Sequence, residues 1–358
     1  MVKHEAKPST KKALYFFSIS APFVYNDIQT ISHSYSVKVF QFKFSRKLFT
    51  PLIYLKQLWF LITNIYSSNV LVCFFGGYQS ILPSLFGKIF RRPCLIVVGG
   101  TDCVSFPSIN YGNFNKFFLG KVTCLSYRLA AFILPVHKSL VLNNYTYQDA
   151  DFDKQGFMNF CKGLKTPWEV VSFGFDPDKW VTSTQKIPNS FITVASWLEN
   201  PYRAALKGVD LILEAAKKFP DAHFTIIGFP KDHKLPGNPT NITTHAFVSN
   251  EELKDIYNKH EFYIQVSMSE GFPNAICEAM TCGCIPIGSN VGGLPDIIGD
   301  SGYILYKRDV EEFKELLKKA ISSDKKILSE KARQRILINY PKDLREKQLL
   351  SLLSKLSK

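Results

Sequence analysis

No stretch of this chain holds the roughly 18 consecutive apolar residues that a membrane-crossing helix needs. The nearest approach, residues 51–75, is interrupted by Lys56, Asn64 and Ser67-Ser68-Asn69. No internal repeat or low-complexity tract is present, so a solenoid or linker-like array is not expected. Cys282-Gly283-Cys284 has no second pair to complete a metal-ligand pattern, which argues against a zinc site. The eight cysteines are scattered, mostly in apolar runs, and are expected to be reduced core thiols of a cytosolic protein. Acidic residues are scarce in one half only. Residues 1–173 hold 19 Lys+Arg and 7 Asp+Glu, a net +12, against +2 for the remainder. Such a basic half suits an anionic partner: a membrane surface, a lipid phosphate or nucleic acid. No nucleic-acid recognition motif accompanies it, so nucleic acid is not expected. A peripheral contact with anionic membrane stands against a merely solvated basic surface.

The 358 residues suggest two domains, and 46% hydrophobic with 14% aromatic residues indicates a folded globular chain. Lys3, Lys7, Lys11 and Lys12 precede a nine-residue apolar run with two serines, which reads as a basic tail and a first strand, Ala13–Ile19, rather than a secretory leader. Further strands are expected at Tyr35–Phe42, Val70–Phe75, Cys94–Val98 and Ile133–His137. Residues 52, 53, 55, 59, 60 and 62 make an apolar face on a helix over Leu52–Ile65. The loop after the first strand, Ser20–Asp27, lacks glycine. Gly99-Gly100-Thr101-Asp102 ends the Cys94–Val98 strand and is the best candidate site of the first half: two glycines admit close backbone approach and Asp102 offers a carboxylate. The competing reading is a tight turn. Phe106–Lys121 is an aromatic, basic loop suited to an acceptor or to lipid. Asp151-Phe152-Asp153 and Asp176-Pro177-Asp178 read as solvated turns, and His137 as a structural histidine.

The second half carries more chemistry. Phe262-Tyr263-Ile264-Gln265-Val266 is an apolar, parallel-type strand. A loop of Ser, Gly, Pro and Asn follows, then a helix expected to be capped by Asn274 and built on Ala275, Ile276, Ala279 and Met280. Ligands of open α/β sheets bind beyond the carboxyl ends of strands, where a helix N-terminus offers free N–H groups to phosphate. Glu270 and Glu278 flank that position, and carboxylates suit paired sugar hydroxyls. A diphosphate with a sugar on each side is a nucleotide sugar.

Glu270 and Glu278 lie within S-x-x-E-G-F-P-N-x-x-x-E-A-M, followed by Gly288-Ser289-Asn290-Val291-Gly292-Gly293-Leu294-Pro295-Asp296. This resembles the E-x7-E motif of retaining glycosyltransferases of the GT-B fold, glycosyltransferase family 4, from about Val170 to Leu305. The resemblance implies an α/β, GT-B architecture of two Rossmann-like domains facing a cleft: an acceptor domain over residues 1–175, a nucleotide-sugar domain over 176–340, and a last helix over 341–358 crossing back. It implies that Glu270 and the Gly271, Phe272, Pro273 and Asn274 amides hold the donor sugar, and that Glu278 binds the ribose. Lys207, in Lys207-Gly208-Val209-Asp210, and the helix start at Asn274-Ala275 would stabilise the departing diphosphate. The turns at Gly228 and Phe247-Val248 would bracket the base. The family's second cation is an arginine; Ser196-Trp197 stands at its place here, with Arg203 as a candidate substitute. A histidine is usual at the place of Gly99, with an acidic residue at that of Asp102. Donor and acceptor would be a nucleotide sugar and a glycan or lipid-linked molecule of cell-surface polysaccharide synthesis. No cofactor or metal would be required. The scattered cysteines and the basic first half point to a cytoplasmic location, peripheral at the inner face of the membrane. A non-catalytic nucleotide-sugar binder is the alternative.

Overall fold

The structure, a computed structural model, describes residues 11–43, 50–148, 153–180, 185–195, 198, 200–230, 235 and 239–357. Asp151-Phe152 and Ser196-Trp197 lie outside them. The chain divides into two compact units: Met1–Asn143 with Lys154–Phe173 and Asp343–Lys358, and Asn144–Asp153 with Gly174–Lys342.

The first unit is a five-stranded parallel sheet. Its elements run β1 (Lys12–Phe17), α1 (Pro22–Ser32), β2 (Ser36–Gln41), α2 (Thr50–Asn64), β3 (Val70–Phe74), α3 (Tyr78–Ile89), β4 (Cys94–Val98), α4 (Phe117–Leu129) and β5 (Phe132–Pro135). The short pieces β6 (Asn143–Asn144), β7 (Lys154–Gln155) and α5 (Phe157–Phe160) follow. The strand order is β2-β1-β3-β4-β5. Strands β3 and β4 are buried along their whole length, as a sheet covered on both faces requires. The expected glycine-free loop after β1 is mostly helix: Pro22 opens α1 at its first turn, where a missing N–H is harmless.

Helix α2 reverses the expected packing. Most of its apolar face is turned outward, with Leu52, Leu55, Trp59 and Ile62 exposed, while Gln57, Leu61 and Asn64 are buried. The cause lies in the hydrogen bonds of the polar side chains. Gln57 Nε2 donates to the Gln79 carbonyl at 2.8 Å, and Lys38 Nζ donates to Asn64 Oδ1 at 2.7 Å.

Helix α13 (Lys342–Leu356) closes the first unit through Arg345. Its guanidinium holds Asp27 through two bonds, Nε–Oδ1 2.8 Å and Nη2–Oδ2 2.7 Å, and also donates to the Val171 carbonyl at 2.8 Å. It lies over the Phe173 ring, 4.6 Å from the centroid. Both charges are buried, so each depends on the other for solvation. Arg345→Ala strands the Asp27 carboxylate and is expected to lower unfolding stability by about 3–5 kcal/mol in chemical denaturation.

Not all cysteines are thiols. Cys124 on α4 and Cys161 beyond α5 form a disulfide, with Cα atoms 5.3 Å apart, whereas Cys73, Cys94, Cys103, Cys277, Cys282 and Cys284 are free and buried. A separation of 37 residues with no paired-cysteine motif left no signal in the sequence. Thiol titration of the denatured, unreduced chain is therefore expected to count six thiols, where the all-reduced expectation gives eight.

The second unit contains β8 (Ile187–Val194), α6 (Pro201–Leu206), α7 (Val209–Ala216), β9 (His223–Ile227), β10 (Ile242–His245), α8 (Asn250–Lys259), β11 (His260–Gln265), α9 (Asn274–Thr281), β12 (Ile285–Ser289), α10 (Leu294–Ile298), β13 (Tyr303–Leu305), α11 (Val310–Ile321) and α12 (Lys325–Asn339). Its sheet is parallel, in the order β10-β9-β8-β11-β12-β13. Counted from its own first strand this is 3-2-1-4-5-6, the doubly wound dinucleotide-binding order. Phe191 anchors the centre, stacked on Phe224 at 4.9 Å and on Phe262 at 4.8 Å. The strand order reverses between β8 and β11, so their following connections diverge and open a crevice at their carboxyl ends.

Candidate functional site

The two connections that leave this switch point carry the site. From the β8 side, α6 ends at Leu206 and Lys207 follows, its N–H donating to the Arg203 carbonyl at 3.0 Å. From the β11 side comes the loop Val266–Pro273. The loop is held in place by backbone. Met268 N–H donates to the Leu206 carbonyl at 2.8 Å, and Gly293 N–H to the Gly271 carbonyl at 2.9 Å. Ser289 Oγ donates to the Ser267 carbonyl at 2.6 Å. Gly292, at φ +55°, leaves no room for a side chain, since a Cβ would overlap the Glu270 carbonyl oxygen. Gly208, at φ +71°, is likewise crowded, since a Cβ would overlap the Val266 carbonyl oxygen.

Within this frame Glu270 Oε1 accepts two bonds, from Lys207 Nζ at 2.6 Å and from Gln265 Nε2 at 2.7 Å. Lys207 and Glu270 are 63 residues apart, and both keep some exposure, 22% and 11%. Gln265 was not singled out by sequence reasoning; its signal was a polar residue ending an otherwise apolar strand. Three buried polar atoms lack protein partners here: Gln265 Oε1, Ser267 Oγ and Asn274 Oδ1. Buried polar atoms without partners are uncommon in folded proteins, so these three make the segment from the end of β11 to the start of α9 a candidate ligand site.

Helix α9 opens at the same end. Pro273 is its N-cap and Asn274 its first helical residue, one position later than the expected cap, with no side-chain cap bond. The first-turn N–H groups therefore retain their donors for an anion. Phe272 and Pro273 are buried, Phe272 stacking near Phe175 at 6.3 Å and meeting Tyr340 edge-on at 5.1 Å, so their side chains anchor the loop while its backbone stays available.

Glu278 lies one turn inside α9, partly buried. Burial raises its carboxyl from 4.5 to about 8, opposed in part by the charge of Lys179. The field of Glu270 and Glu278 adds to burial in raising Tyr263, which puts both motif carboxylates near one ring. Gly228, at φ +122°, follows β9, and Phe247 follows β10 with 85% of its surface exposed. Both lie at the carboxyl edge of the sheet, as does Val248. Arg203 sits on α6, one turn before Lys207.

The first-half candidate has a different character. Asp102 is 1% exposed and faces inward. Its carboxylate accepts N–H bonds from Gly76 at 2.8 Å and Gly100 at 3.1 Å, and the Tyr127 hydroxyl at 3.0 Å. It ties the β3 and β4 loops together, which is the tight-turn reading; burial raises its pKa against those bonds. A side chain at Gly99 would strike the Phe75 ring, so the space of the family histidine is already filled. Gly100, at φ +147°, has a backbone conformation that favours glycine. His137 accepts the Ser139 N–H at 3.2 Å and caps a short turn. Among the described residues, no group of three His, Cys, Asp or Glu side chains is placed to hold a metal ion.

Residues 203–336 match the family of glycosyl transferases group 1. A curated relative, the serotype-specific mannosyltransferase WbdA of Escherichia coli, is 21% identical over 224 residues, 59% of this chain and 27% of the relative. The chain thus spans about a quarter of the length of such a relative. Among solved structures, sucrose-phosphate synthase from Thermosynechococcus elongatus superposes with TM-score 0.73 at 12% identity, covering 97% of this chain and 99% of that one. Anabaena HepE, determined with UDP and glucose, gives TM-score 0.70 at 15% identity, covering 96% and 99%. The fold is that of the GT-B glycosyltransferases.

The Glu278 shift has a stability consequence. Folding favours the protonated carboxyl. Its contribution is complete below the unfolded value of 4.5 and is lost as pH rises through about 8. Glu278→Gln imitates the neutral acid at every pH. The melting temperature of the wild type is expected to fall more steeply than the variant's between about pH 5 and about pH 8; parallel curves would refute the shift.

Proposed function

We propose that the chain is a retaining glycosyltransferase of family 4, moving a sugar from a nucleotide-sugar donor to a glycan or lipid-linked acceptor. The Glu270 carboxylate, bound by Lys207 and Gln265 beside the uncapped start of α9, is the observation that carries this reading. A donor diphosphate fits the α9 N–H groups and the Lys207 ammonium, two sources of positive potential that act on the charge developing as the sugar leaves. Lys207 would then be shared between Glu270 and the phosphate, and Glu270 would be free to accept sugar hydroxyls. Glu278 takes the ribose hydroxyls, and the Gly228 and Phe247-Val248 turns border the base. Arg203 is a candidate second cation. Asp102 acts as a positioning residue through the loops it ties. No side chain of this chain is assigned as nucleophile, and no metal is required in this reading. Similarity to a serotype-specific mannosyltransferase supports a cell-surface polysaccharide acceptor.

A non-catalytic nucleotide-sugar binder is the second reading, and the Phe75 ring at the place of the family histidine is what favours it. A panel of UDP-, GDP- and ADP-sugars separates the two by release of nucleoside diphosphate. Release from one donor is expected, unaffected by EDTA, with Lys207→Ala lowering kcat by about 10²–10³. Donor binding without release, even with lipid-linked acceptors present, would establish the binder.

A further inference from the structure

Helix α2 is inside out with respect to water. Its exposed positions Leu52, Leu55, Trp59 and Ile62 fall within roughly 80° of arc at 100° per residue. Trp59 is 69% exposed and Leu55 61%. Tyr66, in the turn after the helix, is 73% exposed. The opposite side carries the buried polar residues Gln57 and Asn64. The bonds of Gln57 to Gln79 and of Asn64 to Lys38 fix that side inward, so the helix cannot roll to hide its apolar stripe. Phe40, from the edge strand β2, joins Leu55, Trp59 and Phe60 in lining a groove of about 550 Å³. A soluble monomer seldom shows a large aromatic residue within such a continuous apolar stripe unless something covers it.

The charge around the stripe tells what that is. Between Ile28 and Gln148 the sequence has 12 Lys+Arg and one acidic residue, Asp102, which is buried. Helix α2 has no acidic residue, and its one cation, Lys56, lies exposed on a long stem beside the groove. Two copies of this surface would bring like charges together, which disfavours a self-complementary dimer. An apolar stripe with an aromatic residue, with Lys56 at its edge, no carboxylate on its helix and a strongly basic sequence on either side, matches the headgroup–acyl boundary of an anionic bilayer. At about 22 Å, the 15-residue helix is long enough to lie in that boundary and too short to cross it. Among the described residues no helix is long and apolar enough to cross a membrane.

We propose that the chain docks on anionic lipid bilayers through α2, with Leu52, Leu55, Trp59 and Ile62 inserted in the interface and Lys56 reaching the headgroups. The proposal is independent of the donor-site reading, because it concerns a surface of the first unit alone. It locates the membrane contact, for which net charge gives only a sign.

The test uses the full chain with vesicles of phosphatidylcholine, with and without phosphatidylglycerol. Trp59 fluorescence is expected to be quenched by brominated acyl chains in the anionic vesicles, and Trp59→Phe to abolish that quenching. Leu55→Glu with Ile62→Glu is expected to weaken vesicle binding by about tenfold or more, with circular dichroism and donor-sugar hydrolysis unchanged. Absence of quenching at low salt would overturn the proposal. Binding by the double variant equal to wild type would also overturn it, since general charge would then suffice. A wild-type dimer in sedimentation velocity that the double variant breaks, with no vesicle binding, would assign the stripe to a second copy instead. If the double variant fails to fold, the wild-type quenching measurement alone decides.

Discussion

The Lys207–Glu270 ion pair is the contact on which the candidate site depends. Its partners come from the two connections that diverge where the sheet order reverses, so the pair exists only if β8 and β11 lie side by side. It is partly exposed and unsuited to serve mainly as a structural staple, because a pair in this setting contributes little net stability. Its value is positional: Lys207 and Gln265 together hold one Glu270 oxygen in place. The glycines around it follow from the same requirement. Gly208 and Gly292 let one backbone pass against another closely enough to bring the lysine and the glutamate within hydrogen-bond distance.

The two units use carboxylates in contrasting ways. In the first, Asp102 is sealed in by N–H groups and a tyrosine hydroxyl and serves the fold. In the second, burial raises Glu278, and the charge of Lys179 offsets it only in part. The burial of both was invisible in the sequence, where each appears as an acidic residue beyond or within a strand–turn–helix motif. Environment, not sequence position, sets the state of each carboxylate.

Much of the fold was legible. Buried parallel strands announce themselves as short apolar runs ended by glycine or polar turns; Cys94–Val98 was found that way, and the expected strand over 262–266 is β11, His260–Gln265. The Lys207–Glu270 contact and the start of α9 lie where the sequence motifs pointed, because those motifs sit at the two connections that leave the switch point. Three features were not. Gln265 acts through a hydrogen bond across the loop, and only a mild break in apolarity betrayed it. The Cys124–Cys161 bond depends on how α4 and α5 meet. Helix α2 gave the correct period and the wrong direction, since periodicity says which residues share a face but not whether that face meets the core. Its buried amides decided that, through partners on β2 and α3.

The most direct test of the account is a crystal structure of the full chain with the nucleoside diphosphate of its donor. The account predicts diphosphate oxygens within hydrogen-bond reach of the Asn274 and Ala275 N–H groups and of Lys207 Nζ, with the ribose hydroxyls on Glu278. A diphosphate bound away from the start of α9, or one that leaves Lys207 and Glu278 without contact, would contradict it.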